Sequence, residues 1–355
     1  MPSRVDRSEP PAKAPAYATH RADIDAPFRG PTYGARSVIA TDHPAASLAA
    51  INALQRGGNA VDATIAAAAV NVVVKPQRTH LGGDAFALIW QRRTGAVECL
   101  NAGGRAPHRA TPEQFGDRIP NHGPRASTVP GMVDSLVELH ERHGSLPLPE
   151  LLEPAIELAD RGFPVSTRLA VSMQTLARAD FPDDTTRQVF LAGAGRPYRE
   201  GELFRQPDLA ETLRRIATDG RAGFYGGETG AAISEAMSAG GGLIDEEDLA
   251  EPTALWHEPL SIAYRGCTVY EQALPSQGII LLEALNIVEQ FPLAGWGPGS
   301  AEAAHVMIEA TRQAFADARR YAADPLVEQV PVDRLLSKEH ARARAAEIDV
   351  HRTKQ

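Results

Sequence analysis

The side chains in this 355-residue chain that could do chemistry are few and scattered. His140 and His143 stand three apart on a helix-like stretch, a spacing that brings two imidazoles to one face and could seat a metal ion. Glu141 and Arg142 beside them instead mark a solvated face. The acidic run from Asp245 to Asp248 follows Gly240, Gly241 and Gly242, and reads as charge favouring the positive end of a following helix, a structural role. Gly193 and Gly195 lack a third glycine and sit in a loop before Arg196 and Pro197, which argues against a dinucleotide site. Cys99 and Cys267 lie far apart with neither metal-ligand spacing nor a pairing pattern, and we expect two core thiols. There is no G-x-S-x-G elbow, no phosphate loop and no H-E-x-x-H pair.

The elements that must position any site are more legible. Gly57 and Gly58 allow a turn or close approach, Asn59 stands at a helix N-cap, and Ala60 to Val74 carries only Asp62, Thr64 and Asn71 as polar residues. A helix so apolar all round belongs in a core, and it is too short to cross a bilayer. Pro76 ends it, and after Gly82 and Gly83 the run Phe86 to Trp90 reads as a strand, pairing as a hairpin with Ala96 to Leu100. Val38 to Thr41 is strand-like, Pro44 to Gln55 helical, and Gly131 to about Met237 mostly helical. Leu260 to Tyr270 alternates as a strand, with helices following at Ile279 to Phe291 and Ala301 to Tyr321.

Composition bounds the class. A hydrophobic fraction of 43% over this length supports a large core. The net charge of −9 and the lack of a long basic block exclude a nucleic-acid surface. Residues 1–34, with Pro2, Pro10, Pro11 and Pro15 among scattered charges, read as a mobile arm without the apolar core of a signal peptide, so the expectation is a cytoplasmic protein without membrane association.

The order of these segments resembles the large subunit of the γ-glutamyltranspeptidase superfamily. The likeness runs from Gly57 through Gly83 and continues at Val129 to Met132, Pro154 to Phe163, Gly223 to Gly227, Gly241 to Leu249, Tyr264 to Gly266, Pro275 to Gly278 and Ala314 to Asp317. The segment from Gly82 to Phe86, and Gly103 to Ala106, look more like the branch of oxamate amidohydrolases and acylases. The resemblance implies an α+β fold, a four-layer αββα sandwich of the N-terminal-nucleophile hydrolase type, completed by a smaller subunit cut from the same precursor. It implies that residues 35–355 are the large subunit, with 338–355 a surface tail ending at a processing site at Gln355. A dimer of such heterodimers is open.

What the resemblance implies for chemistry is acyl transfer through a threonyl ester on the partner chain. The α-amine of an N-terminal threonine can serve as its own base, so neither metal nor cofactor is called for. In the family an arginine of an Arg-Glu-x-Ala-Pro segment grips the γ-glutamyl carboxylate. Aligning Ala106 and Pro107 puts Gly103 at that position and Arg105 two residues later, roughly 6 to 7 Å along an extended chain. Arg105 then either holds a differently placed carboxylate of a small acidic amide or serves a fold-stabilising ion pair. His80, where the family commonly has glycine, either orients substrate or is a satisfied loop residue. Amide hydrolysis, γ-glutamyl transfer and carbon–carbon hydrolysis on the same scaffold remain open. So does a non-catalytic binding protein that has lost the nucleophile.

Overall fold

The computed structural model describes residues 32–178 and 184–353; residues 1–31, most of the expected arm, and Gln355 lie outside the described residues. Met1–Ala40 and Thr41–Gln355 are separate compact units. In the first, residues 32–40 adopt neither helix nor strand, and Val38 is largely exposed. The strand expected from Val38 does not form. Extended backbone needs a ladder partner, and none of the described strands supplies one.

The second unit begins with two helices, α1 (Pro44–Gln55) packed on α2 (Ala60–Val74). As expected, α2 is buried on nearly every side, from Val61 through Val74. Its start is fixed by a reciprocal capping box: Asn59 Oδ1 accepts from the Val61 and Asp62 amides at 2.7 and 3.1 Å, and Asp62 Oδ2 accepts from the Asn59 amide at 2.7 Å. Asp62 also accepts from the amides of Ser145 and Leu146 and from the Ser145 hydroxyl. Burial pushes the Asp62 carboxyl up, but these donors outweigh it and hold the group below its ordinary value.

The hairpin forms as expected. Strand β1 (Ala85–Trp90) pairs antiparallel with β2 (Val97–Ala102), with Phe86 opposite Asn101 and Trp90 opposite Val97. The middle of the chain is helical: α3 (Met132–His143), α4 (Leu148–Arg161), which packs on α2, and α5 (Pro207–Asp219), which packs on α4. After the short helix α6 (Glu246–Ala250), strand β3 (Leu255–His257) joins the free side of β2, making a three-stranded sheet. Along β1 the side chains of Phe86, Leu88 and Trp90, two apart and therefore on one face, are 48%, 40% and 63% exposed.

Leu260 to Tyr270 is two strands, not one: β4 (Leu260–Tyr264) and β5 (Cys267–Glu271) form a hairpin around Arg265 and Gly266. Both turn residues take positive φ, 47° and 84°, which suits a two-residue hairpin turn and folds the alternating pattern back on itself. Of the two expected core thiols, Cys99 is fully buried, with its Sγ donating to Gln272 Oε1 at 2.9 Å, whereas Cys267 is exposed at the hairpin.

Helices α7 (Gly278–Val288), α8 (Ala301–Tyr321) and α9 (Lys338–Ala345) close the unit. The expected surface tail at 338–355 therefore needs correction. Ala341 and Ala345, one turn apart on α9, are buried against an apolar cluster that includes Ile287 of α7 and Val306 and Ala310 of α8. The charged side chains of α9 reach inward as well. Lys338 Nζ donates to Asn286 Oδ1 at 2.6 Å and to the Ala263 carbonyl at 2.7 Å, and Arg344 pairs with buried Asp317 through both carboxylate oxygens. Burial followed by the Asp317 carboxylate raises the neighbouring Glu283 carboxyl to about 9. No helix among the described residues is long and apolar enough to cross a membrane.

Candidate active site

Three loops meet beyond the end of the β1–β2 hairpin. The first, from His80 to Asp84, follows α2; the second, from Gly103 to Pro107, leaves β2; the third, from Thr128 to Gly131, leads into α3. Main-chain bonds tie them. The Gly83 carbonyl accepts from the amides of Gly131 and Met132 at 2.9 and 2.8 Å, and the Val129 amide donates to the Arg105 carbonyl at 3.0 Å. Asp84 Oδ1 accepts from the Gly104 amide at 3.0 Å. The approach is close enough to need glycine: a β-carbon at Gly104 would lie 1.9 Å from the Val129 carbonyl oxygen, and one at Gly131 would lie 2.0 Å from that of Ala102.

Gly103, Arg105 and His80 are all brought to this junction, on two of its loops. At Gly103 the direction of a side chain is already taken, since a β-carbon there would sit 3.1 Å from both Phe86 Cζ and Asn101 Oδ1. The half-exposed Phe86 ring thus covers the position at which the γ-glutamyl pattern carries its arginine. His80 is exposed, with its ring against Gly83, where Cε1 would stand 3.2 Å from an added β-carbon.

Arg105 does not point into open solvent. Its Nη2 donates to the Asp248 carbonyl at 2.7 Å, its Nη1 lies 3.3 Å from Asp248 Oδ1, and Nη2 lies 3.0 Å from Glu251 Oε2. Asp248 is fully buried, Glu251 half-exposed. The same Asp248 Oδ1 accepts from the His108 amide at 2.9 Å, while its Oδ2 accepts from the Asp245 amide at 3.1 Å. Asp245 and Asp248 thereby form the capping box of α6, which agrees with the structural role expected for the acidic run. Its second role, holding Arg105 from 143 residues away, has no local pattern and was beyond sequence reasoning.

A parallel anchor was also missed. Asp134, buried at the start of α3, accepts from the Thr253 amide and hydroxyl at 2.7 and 2.8 Å and pairs with Arg221 at 2.8 Å. Tyr225 donates its hydroxyl to the Pro130 carbonyl at 2.7 Å, and burial followed by the Asp134 charge pushes that phenol well above its usual range. The third loop is thus held from behind by side chains of the helical region. The expected solvated face at His140 and His143 also proves to be a joint. His143 Nε2 lies 3.1 Å from Glu98 Oε2 and its ring meets Trp256 edge-on, while His140 Nε2 lies 2.8 Å from the Leu146 carbonyl.

The mixed helix-and-sheet organisation, and its likeness to solved relatives, place the chain in the α+β N-terminal-nucleophile hydrolase class. A family model described as gamma-glutamyltranspeptidase matches residues 46–355, and the chain belongs to that family. It is 34% identical over 353 residues to the glutathione hydrolase proenzyme of Escherichia coli (strain K12), covering 97% of this chain and 60% of that protein. It is 35% identical over 340 residues to the acylase ACY 1 proenzyme of Pseudomonas sp. (strain SE83), covering 91% of this chain and 60% of that protein. Among solved structures, the Helicobacter pylori gamma-glutamyltranspeptidase superposes with a TM-score of 0.85 at 33% identity, covering 91% of this chain and 94% of that one. The chain thus spans about three-fifths of the length of the two proenzymes.

Proposed function

We propose that this chain is the larger part of a self-processing amidohydrolase or acyltransferase acting on a short acidic amide, through an N-terminal threonine on a second subunit cut from the same precursor. Proenzyme relatives that extend well beyond the matched region support the second subunit. So does the unpaired apolar face of Phe86, Leu88 and Trp90 on β1, which a further layer would bury. The threonine supplies nucleophile and base together, consistent with the absence of a familiar catalytic motif in the sequence.

The observation that carries the substrate reading is the Phe86 ring over Gly103. A γ-glutamyl carboxylate would find an aromatic edge where the family pattern offers a guanidinium. The remaining cation, Arg105, is held by buried Asp248 and shares its outer edge with half-exposed Glu251. We infer that a substrate carboxylate reaches Arg105 by displacing Glu251, while Asp248 keeps the guanidinium in place. His80, exposed at the rim, then orients the amide.

The test is expression of the whole precursor, followed by intact mass, N-terminal sequencing and kinetics. Two fragments, the smaller beginning with threonine, and turnover of oxamate in preference to γ-glutamyl-p-nitroanilide are expected. A Glu251→Gln variant should lower KM for the acidic amide. Efficient γ-glutamyl transfer by the unaltered enzyme would sink the substrate reading, and an uncut, inactive precursor would sink the enzymatic one.

A further inference from the structure

We propose that Glu283, Asp317 and His340 form a divalent-metal site of the zinc type that staples α9 to the α7–α8 pair. Each helix contributes one ligand: Glu283 from α7, Asp317 from α8 and His340 from α9. Both carboxylates are 1% exposed, and the imidazole is largely buried. The potential ligand atoms all lie within 4.8 Å of one another, and among the described residues no other group of three such side chains converges in this way.

Spacing is the first argument. His340 Nε2 lies 2.9 Å from Asp317 Oδ2 and 3.4 Å from Glu283 Oε1. An ion bonded tetrahedrally to nitrogen and oxygen at about 2.0 to 2.2 Å keeps its ligands roughly 3.3 to 3.6 Å apart, so small shifts would seat it. Hydrogen bonding is the second. One imidazole nitrogen carries at most one proton and cannot serve two carboxylates, and Glu283 Oε1 is buried without a hydrogen-bond partner. A dication facing all three groups satisfies that oxygen, and a buried polar atom left without a partner is otherwise costly.

Arg344 gives the third. It grips Asp317 through Nε, at 2.8 Å from Oδ2, and through Nη2 on Oδ1. That contact matches the charge of Asp317, so a Glu283 that ionises to ligate would draw on a further cation. It also orients Asp317 as an outer partner orients a ligating carboxylate. Imidazole with two carboxylates is a donor set suited to zinc and its neighbours in the first transition row.

The experiment uses tag-free enzyme produced from the full precursor, stripped with chelator, exposed to Zn²⁺ or Co²⁺ alone and desalted. One ion per large subunit is expected, with a visible cobalt spectrum typical of four-coordination. Retention should disappear in His340→Gln and in Glu283→Gln. Arg344→Gln should weaken affinity by about 10- to 100-fold, as loss of an outer-shell partner does. Adding chelator should lower the melting temperature of the unaltered enzyme and leave that of His340→Gln unchanged. An unaltered enzyme that retains no ion, or variants that retain it equally, would overturn the proposal and leave a network balanced by protons. Should His340→Gln fail to fold, Glu283→Gln and the stoichiometry of the unaltered enzyme decide the matter.

Discussion

Replacing Asp248 by Asn should loosen Arg105 by an amount the geometry sets. The carboxylate is fully buried and serves the Asp245 amide, the His108 amide and Arg105 Nη1. An amide keeps one acceptor oxygen and turns an NH₂ group toward donors. The whole change should cost roughly 2 to 4 kcal/mol, the scale of a disrupted buried charge network. The part that belongs to Arg105 is smaller. A hydrogen bond to a charged group contributes about 1.5 to 3 kcal/mol, and this one is long at 3.3 Å, while the Nη2 bond to the Asp248 carbonyl survives the substitution. A coupling of about 1.5 kcal/mol follows. A double-mutant cycle of Asp248→Asn with Arg105→Met, read by urea unfolding at constant m-value, measures it. Additivity within about 0.3 kcal/mol would mean that Asp248 does not hold Arg105, and the proposed displacement of Glu251 would lose its basis.

Gly104→Ala should lower stability by roughly 2 to 4 kcal/mol through collision with the Val129 carbonyl, seen as a reduced urea midpoint; an unchanged midpoint would contradict the loop junction. Asp62 has its carboxyl depressed, so its contribution is full above about pH 5 and is lost as pH falls through the lowered folded value. The stability gap between the unaltered protein and Asp62→Asn should accordingly be wide at pH 7 and narrow toward pH 3, whereas a pH-independent gap would show that the charge is not what the four donors need. The 355-residue chain expressed alone should aggregate through the β1 face, and changing Phe86, Leu88 and Trp90 together to Thr should reduce light scattering at equal concentration. Equal scattering by both would exonerate that face.

What could be read from the sequence was whatever local chemistry decides. Asn59 announces the start of α2 because an N-cap acts on its own neighbours, and the nearly continuous apolar run behind it leaves burial as the outcome. The β1–β2 hairpin is equally local. The β4–β5 turn was missed because alternation continues through Arg265, a residue seldom found at positive φ. At the site, the motif order brought Gly103, Arg105 and His80 to one place, but not the partners of Arg105. Asp248 and Glu251 are remote in sequence, and only the folded chain brings them to the guanidinium. The same holds for α9, whose charged sequence reads as solvent-facing until the buried carboxylates of α7 and α8 are seen opposite it.

The loop junction is held chiefly by peptide groups: the carbonyls of Gly83 and Arg105 receive amides from the third loop, and the glycines allow the backbones to touch. A socket built from main chain does not depend on which side chains line its rim. Positions 80 and 86 can therefore be exchanged without dismantling the frame, and on the proposed substrate reading a change of acyl specificity asks for moving one cation and one ring. On that reading divergence of substrate takes a change at a few positions, whereas Gly104 and Gly131 leave almost no room for change.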